Sequence, residues 1–135
     1  MNGTTRYFFK KEDKLKSRKA IDELFAKGKS FSNYPLKIIW LPQNRLAALQ
    51  AGVGVSSRNF KKAVDRNRIK RLMRESYRLQ KNELQHYLLH NNKTLSVFFL
   101  YVGKELPAYE IIFDKMQLAL SRLIKCSNEK SEKNS

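Results

Sequence analysis

Lysine, arginine and asparagine dominate the stretch from Lys61 to Arg78, which reads KKAVDRNRIKRLMRESYR. At about 100° per residue on a helical wheel, its apolar and basic residues fall in opposite arcs. The apolar arc contains Ile69, Leu72, Met73 and Leu79. The basic arc contains Asn67, Lys70, Arg71, Arg74 and Arg78. We therefore expect a helix that packs one side against a core and presents cations and an amide on the other side.

The basic arc has too few acids nearby to be neutralised within the helix. Ten Lys or Arg residues stand between Arg58 and Lys81, against two acids, Asp65 and Glu75. Like charges one turn apart destabilise a helix, so a merely solvated face normally mixes charges of both signs. A solvated face is the ordinary alternative, but this one-sided composition favours an external polyanion with phosphates along its length. Asn67 adds a donor and an acceptor for a fixed polar contact.

The whole chain is a small, strongly basic protein. Its 135 residues are enough for one domain with a real core, and 41% of them are hydrophobic. Lys and Arg number 28 against 12 acids, a net charge of +16, which suits nucleic acid or an anionic membrane surface. The longest largely apolar run, Leu95 to Val102, is far shorter than the roughly twenty residues of a membrane span. No signal-peptide pattern opens the chain, so we expect no membrane partner.

The chain carries no recognisable catalytic or metal-binding motif of its own. It lacks a GxSxG motif, a Walker loop and paired cysteines, and its few acids form no evident cluster for metal-assisted hydrolysis. His86 and His90 stand four apart after Glu83, but two imidazoles without a third ligand at suitable spacing do not predict zinc. The single Cys126 cannot form an internal disulfide, so we expect a packing role for it and a reducing cytoplasm for the protein.

Hydrophobic periodicity and turn signals divide the chain into six elements in the order α-β-β-α-β-α. The predicted elements are a helix from Ser17 that stops at Gly28, strands at Leu36–Leu41 and Leu49–Val55, the basic helix from about Asn59 to Leu84 or on to Leu89, a strand at Leu95–Tyr101, and a last helix opened by Pro107. Residues 1–13 are predicted to be a flexible basic arm, 14–126 a single RNA-binding domain, and 127–135 a disordered polar tail.

Glycines and aromatic residues flank the basic helix in a way that suits a ligand. Gly52 and Gly54 leave one face of the second strand nearly bare. This pattern predicts either close approach by a helix or a ligand, or else relief of crowding or a bulge. Aromatic rings near the basic helix could stack on the bases of a single strand of RNA, or could belong to the core. We expect Trp40 and Phe25 in the core because they fit apolar faces. The connecting segments hold three rings that we expect to be accessible, Phe31, Tyr34 and Phe60.

Three segments of the chain resemble the bacterial ribonuclease P protein component. AVDRNRIKRLMRE, from Ala63 to Glu75, is similar to the arginine-asparagine-arginine signature of that family. FAKGKSF, from Phe25 to Phe31, resembles the end of the family's first helix, and GVGVSSRNFKKAV resembles the strand that enters the signature helix. Departures from the family pattern are Ile21, where many members have an aromatic residue, and Ser57, in a link that is a residue longer than in some relatives.

The resemblance implies an α/β (α+β) two-layer sandwich similar to a ribosomal-protein fold. It also implies a left-handed β-α-β crossover around the signature helix, which the usual right-handed rule would not suggest. By the same resemblance, the catalytic RNA binds the signature helix through Arg66, Asn67, Arg68, Lys70, Arg71 and Arg74. A cleft for the single-stranded 5′ leader of precursor tRNA would involve Phe25, Tyr34, Arg58, Phe60, Lys62 and Ala63.

The function implied by the resemblance is that of the protein subunit of ribonuclease P. Its partners would be ribonuclease P RNA and precursor tRNA, with the catalytic centre in the RNA and Mg²⁺ required by the holoenzyme. A ribosomal or other structural RNA-binding protein is the first alternative, and it would co-purify with ribosomal subunits. A DNA-binding factor with the basic helix in the major groove is a poorer alternative, because that helix carries a stripe that must be buried and no dimerising zipper is present. We expect no DNA partner.

Overall fold

The structure is a computed structural model that describes Leu15, residues 18–42 and residues 48–133, with side chains described as far as Ser127. The predicted arm, residues 1–13, lies outside the described residues. The elements are α1 (Arg18–Lys27), β1 (Lys29–Asn33), β2 (Leu36–Pro42), β3 (Leu49–Val55), α2 (Ala63–Gln80), α3 (Asn82–His90), β4 (Leu95–Tyr101) and α4 (Tyr109–Lys133). This mixed α+β architecture confirms the predicted fold class.

The four strands form one sheet in the order β1-β2-β4-β3. β1 and β2 form an antiparallel hairpin, and β2 pairs antiparallel with β4. β3 pairs parallel with β4, with Ala51 opposite Val97 and Val55 opposite Tyr101. Parallel neighbours need a long crossover connection, and here α2 and α3 supply it. The handedness of that crossover stays a prediction.

The two faces of the sheet are covered unequally. The larger core joins inward-facing strand residues such as Ile38, Val97 and Phe99 to α2, α3 and α4. The opposite face carries a smaller cluster in which Leu24 of α1 packs with Ile39 and neighbouring apolar residues. Because side chains alternate along a strand, consecutive residues of β4 serve different faces of the sheet. Among the described residues, the short α1 and Leu15 therefore cover only part of one face, whereas three helices cover the other.

The strand β1 was missed by the sequence analysis, which took Phe31 and its neighbours for a connecting segment. In its sequence KSFSN only Phe31 is buried, at 9% exposed. One apolar side chain among polar neighbours gives no measurable alternation, and an edge strand needs no more than one. Phe31 was expected to be accessible, and that expectation is wrong because α4 covers the ring.

The basic helix is shorter at both ends than expected. The prediction ran from about Asn59 to Leu84 or Leu89, whereas α2 ends at Gln80 and α3 begins at Asn82. The side-chain amide of Gln80 donates to the carbonyls of Ser76 and of Phe113 on α4, which ties the end of α2 to its neighbour. The break between α2 and α3 falls at Lys81, which itself has helical backbone angles. Hydrophobic periodicity therefore gives no sign of it.

The buried stripe of α2 also differs from the predicted one in its last turns. Ile69 and Met73 are fully buried as expected, and the stripe continues through Ser76 and Tyr77. Leu79 was expected on the stripe but is 39% exposed. The Tyr77 ring packs on Phe99 with centroids 5.5 Å apart, so an aromatic residue takes the place expected for a leucine. The wheel angle alone cannot rank Leu79 against Tyr77.

The last helix reaches further than expected. α4 continues to Lys133, into the segment that was predicted as a polar tail. Within the described part of the chain, no helix combines the length and apolar character needed to cross a membrane.

Candidate nucleic-acid interface

The segment that links β3 to α2 is held in place by hydrogen bonds to the loop that follows β4. The Asn59 side-chain amide donates to the carbonyls of Val102 and Gly103, at 3.3 and 3.2 Å. Phe60 is 7% exposed and lies against the Tyr101 ring at a centroid distance of 6.0 Å. The expectation of an accessible Phe60 is therefore wrong: the ring anchors the link and is covered by the core.

Arg66 serves this link as well as the surface. Its Nη1 donates to the carbonyls of Phe60 and Lys61, both at 2.8 Å. Lys62, at the N-cap, has extended backbone angles and makes no side-chain cap bond. The guanidinium of Arg66 therefore fixes the entry to α2. Unpaired backbone N–H groups at a helix start favour anions, and here Lys61 and Lys62 add charge to them.

The outer face of α2 keeps its cations available. Arg68, Arg71 and Arg74 are exposed, and none of them forms an ion pair or hydrogen bond within the described part of the chain. Asn67 is exposed beside them, and Lys70 is half-buried with its charge equally unpaired. The cations of this row are thus neither tucked inward nor neutralised by carboxylates.

Arg78 is the exception at the end of the predicted basic arc. Its Nη2 lies 2.6 Å from Glu75 Oε2, so the two form an ion pair one turn apart. We name the remaining set, Arg66 to Arg74 on the outer face of α2, the basic face. It holds the six residues that the sequence assigned to the catalytic RNA, while Arg78 falls outside it.

On the α1 side of the sheet, the two glycines of β3 accommodate the ring of Phe98. A Cβ built on Gly54 would lie 2.8 Å from Phe98 Cζ, and one on Gly52 would lie 3.0 Å from Phe98 Cδ1. Real Cβ atoms do not approach rings so closely. Of the alternatives that the sequence left open, the structure favours relief of crowding, because the ring that needs the space belongs to the neighbouring strand. The ring lies over the backbone of β3 and is only half-buried.

Phe25 extends this aromatic surface from α1. Its ring meets Phe98 edge-on, with centroids 5.2 Å apart and planes at 70°. Phe25 is 49% exposed, so its expected place in the core is wrong. Trp40 is 4% exposed, which confirms its expected place in the core. The sequence analysis did not single out Phe98, although a ring opposite a Gly-x-Gly strand is the signal that could have found it. We name Phe25, Phe98, Gly52 and Gly54 the aromatic floor.

The far end of the sheet gathers the loop before β2 and the link before α2. The carbonyl of Pro35 accepts from the N–H of Val102 at 2.8 Å, on the same loop that Asn59 holds. Tyr34 stands beside it, 65% exposed, as the sequence analysis expected. Arg58 is exposed in the link. The segments that carry Tyr34 and Arg58 thus both bond to the loop that follows β4. This loop lies at the C-terminal end of β4, beyond the aromatic floor.

Tyr101 and Gly103 shape that loop from below. The Tyr101 hydroxyl donates to the carbonyl of Glu105 at 2.6 Å. Burial, followed by neighbouring Tyr34 and Glu105, raises the pKa of Tyr101, so the phenol keeps its proton for this bond. A Cβ on Gly103 would lie 2.6 Å from the Tyr101 oxygen, so a larger residue would displace the contact. The sequence analysis missed Gly103, since nothing local distinguishes it from an ordinary loop glycine.

A family model described as Ribonuclease P matches residues 9–123. The chain belongs to the ribonuclease P protein family. A relative from Porphyromonas gingivalis, named ribonuclease P protein component, is 34% identical over 125 residues, with 91% of each chain covered. A relative of the same name from Chlorobium phaeobacteroides is 32% identical over 124 residues, covering 83% of this chain and 85% of that one.

Solved structures of ribonuclease P proteins share the fold. The protein from Thermotoga maritima superposes with a TM-score of 0.66 at 22% identity, covering 81% of this chain and 96% of that one. The protein from Staphylococcus aureus gives a TM-score of 0.56 at 20% identity, covering 87% and 96%. At these identities the likeness shows the fold, and the family assignment rests on the sequence matches.

The residues that the family resemblance assigns to a leader cleft do not form one compact cluster in this ribonuclease P protein. Phe25 lies at the aromatic floor, and Tyr34 and Arg58 lie at the far end of the sheet. Lys62 and Ala63 are exposed at the start of α2. All five border the α1 side of the sheet or the entry to α2, whereas Phe60 is buried in the larger core.

The described residues offer no protein site for the Mg²⁺ expected of the holoenzyme. Among them, no group of three or more His, Cys, Asp or Glu side chains is arranged to hold a metal ion. His86 and His90 are exposed on α3. This donor set does not fit a resident divalent cation, so no step of the chemistry is assigned to a metal bound by this chain.

Proposed function

We propose that this chain is the protein subunit of a ribonuclease P holoenzyme that removes the 5′ leader of precursor tRNA in the cytoplasm. The observation that carries the proposal is the pairing of two surfaces: a row of unpaired cations on α2 and, around its entry, an open sheet face with exposed rings. The first surface suits a folded polyanion, and the second suits a single strand whose bases are free to stack. Family membership supports both assignments.

The catalytic RNA occupies the basic face in this proposal. Exposed guanidinium groups at one-turn spacing can each bind a phosphate in a bidentate manner, and Asn67 adds a directional hydrogen bond among them. Because Arg68, Arg71 and Arg74 have no ionic partner among the described residues, no ion pair with those residues has to be broken on binding. Neutralising phosphates also lowers the repulsion between the catalytic RNA and precursor tRNA, two large polyanions that must meet.

The leader runs along the open sheet face from the aromatic floor to the Tyr34 end. Val102, the residue after β4, is four residues from Phe98, so this track is about 13 Å long at 3.3 Å per residue. Phe25 and Phe98 stack bases at one end, and Tyr34 does so at the other. Arg58 and Lys62 neutralise the leader phosphates, and Ala63 leaves room at the start of α2.

The catalytic centre lies in the RNA subunit, and Mg²⁺ bound there would supply charge stabilisation for phosphodiester cleavage. The contribution of this chain is binding and positioning. It holds the RNA on one helix and the substrate's single strand on the sheet beside that helix. No general acid, general base or metal ligand is assigned to the protein.

Substitution of Arg74 tests the basic face. Arg74→Ala should weaken binding to the catalytic RNA and reduce the magnitude of the log-log salt slope by about 0.7. It should change the free energy of unfolding by less than about 0.5 kcal/mol, because the side chain is exposed and unpaired. Filter binding at several salt concentrations measures the slope. Lys19→Ala on α1 removes the same charge far from α2 and serves as the control. Equal losses in the two variants would reject the assignment of the basic face.

Removal of one ring tests the leader track. In the reconstituted holoenzyme, Tyr34→Ala should reduce the preference for substrate with a leader over substrate without one by about tenfold. This factor corresponds to the lower end of the roughly 1–3 kcal/mol per stacked base. Tyr34→Phe keeps the ring and should retain the preference. The measurement is the ratio of the two dissociation constants at fixed salt and Mg²⁺. A wild-type holoenzyme that binds both substrates equally would remove leader binding from the proposal while leaving the basic face untouched.

A further inference from the structure

A second row of cations lies at the edge of the sheet away from α2. It consists of Lys29 on β1 and Lys115, Arg122 and Lys125 on α4, and we name it the β1–α4 edge. β1 and β3 are the two outer strands of the sheet. α2 contacts β3, whereas α4 contacts β1 and β2. β1 and β3 lie about 14 Å apart across three strand spacings, and the two basic surfaces therefore flank the larger core from opposite edges.

Contacts between α4 and β1 set the positions of these cations. The Asn33 side-chain amide donates to the carbonyl of Lys115 at 2.9 Å, and the Arg122 guanidinium lies 4.4 Å from the centre of the Phe31 ring. Lys29 Nζ lies 5.8 Å from the Trp40 ring centre. α4 therefore runs antiparallel to β1, with Lys115 near one end of the strand and Arg122 near its middle. Lys29 marks the other end.

The cations of the β1–α4 edge have no anionic partner among the side chains that the structure describes. Lys29, Arg122 and Lys125 are exposed, and Lys115 is half-buried. None of the four forms an ion pair within the described residues. The neighbouring acid, Asp114, lies about 100° round the helix from Lys115. As on α2, charges of one sign are left for an external partner.

Stacking on Phe31 prepares Arg122 for a phosphate. A guanidinium held over a ring by a cation–π contact loses rotamer freedom before any ligand arrives, and it keeps its charge for a phosphate. Lys29 stands two strand residues from Phe31, about 7 Å away, and Lys115 stands about 10.5 Å from Arg122 along the helix. These separations form a ladder of positive charge along one line, which matches a phosphodiester backbone better than a single anion.

We propose that the β1–α4 edge is a second RNA-binding surface, which contacts the phosphodiester backbone of RNA on the far side of the protein from α2. It is separate from the basic face and the leader track, so the chain would bridge RNA segments on two sides. The competing role of Lys29 is to discourage pairing of the edge strand with another chain, a common use of lysine on edge strands. Protection of the edge strand would need only Lys29, and it does not require Arg122 or Lys125 to lack an ionic partner.

The test removes two charges from the β1–α4 edge and two from a matched site. Arg122→Gln/Lys125→Gln is compared with Arg18→Gln/Lys19→Gln, which changes the same residue types on exposed positions of α1. Each full-length variant is titrated with ribonuclease P RNA and, separately, with precursor tRNA at several salt concentrations. The edge variant should lower the magnitude of the log-log slope by about 1.4 for one of these RNAs, at about 0.7 per phosphate. The matched variant should leave both slopes unchanged.

The two titrations identify which RNA the edge contacts. Equal slope changes in the two double variants, or no change with either RNA, would overturn the proposal. Self-association of the edge variant in sedimentation, with unchanged slopes, would also overturn it and assign the cations to protection of the strand. Arg122→Lys keeps the charge but not the planar stack, and it should fall between wild type and the double variant. Arg74→Ala, measured in parallel, separates failure of this proposal from failure of the basic face.

Discussion

The two faces of the sheet divide stability and binding between them. On the face that α2, α3 and α4 cover, Phe99 and Val97 are fully buried and the cations stand on the outer side of α2. On the other face α1 covers a smaller cluster, and Phe98 lies half-open above two glycines. Adjacent residues of the same strand thus meet different environments. A sheet can remain well supported from one side while the other side stays accessible to a ligand.

Truncation of the two neighbouring phenylalanines of β4 tests most directly whether the two faces differ in their contribution to stability. Phe99→Ala should cost about 3–5 kcal/mol of unfolding free energy, because it leaves a cavity in the larger core. Phe98→Ala should cost about 1 kcal/mol, since its ring is half-open, and it should weaken leader binding about tenfold. Urea unfolding and leader-dependent affinity measure the two effects. Equal stability losses would show that the α1 face is as important for folding as the covered face.

Arg66 offers a second comparison, between a cation that holds the fold and one that does not. Arg66→Ala should destabilise the protein by about 1.5–3 kcal/mol, because two carbonyls of the link lose a charged donor. Arg71→Ala should stay within about 0.5 kcal/mol of wild type in the same urea experiment, while both variants lose affinity for RNA. If the two variants were equally stable, the hydrogen bonds to Phe60 and Lys61 would contribute nothing to the entry of α2.

The smallest expected effect tests whether the glycines exist to seat the Phe98 ring. Gly54→Ala should destabilise the protein by about 1 kcal/mol, because the new methyl group displaces the ring. In the Gly54→Ala/Phe98→Ala double variant the clash is absent, so the two losses should fail to add by about that amount. Additive losses would mean that Gly54 serves the backbone of β3 rather than the ring.

Much of the architecture and the basic face could be read from local patterns. The strands Leu36–Pro42, Leu49–Val55 and Leu95–Tyr101 lie within a residue of their predicted bounds, because runs of β-branched and aromatic residues between turn signals specify strands locally. The helical period likewise placed Ile69 and Met73 inside and Arg71 and Arg74 outside. These outcomes depend on spacing within one element, which a sequence states directly.

The misassigned rings show where local patterns stop being informative. Phe25 was expected inside and Phe60 outside, and the structure reverses both. Each ring's position depends on a partner remote in sequence: Phe98 for Phe25, and Tyr101 for Phe60. β1 was missed for the same reason, since its pairing with β2 and its contact with α4 cannot be inferred from the sequence KSFSN.

Charge, amphipathic period and the signature around Asn67 were determined by the sequence alone, and they already identify a basic helix that needs an external polyanion. The tertiary structure alone decided which sheet face stays open and where a second row of charge forms. It also decided which cations bond within the protein, as Arg66 and Arg78 do. The physical reason is that residue types and their spacing set what each element can do. Availability of a group depends on what packs against it, and that is a property of the assembled chain.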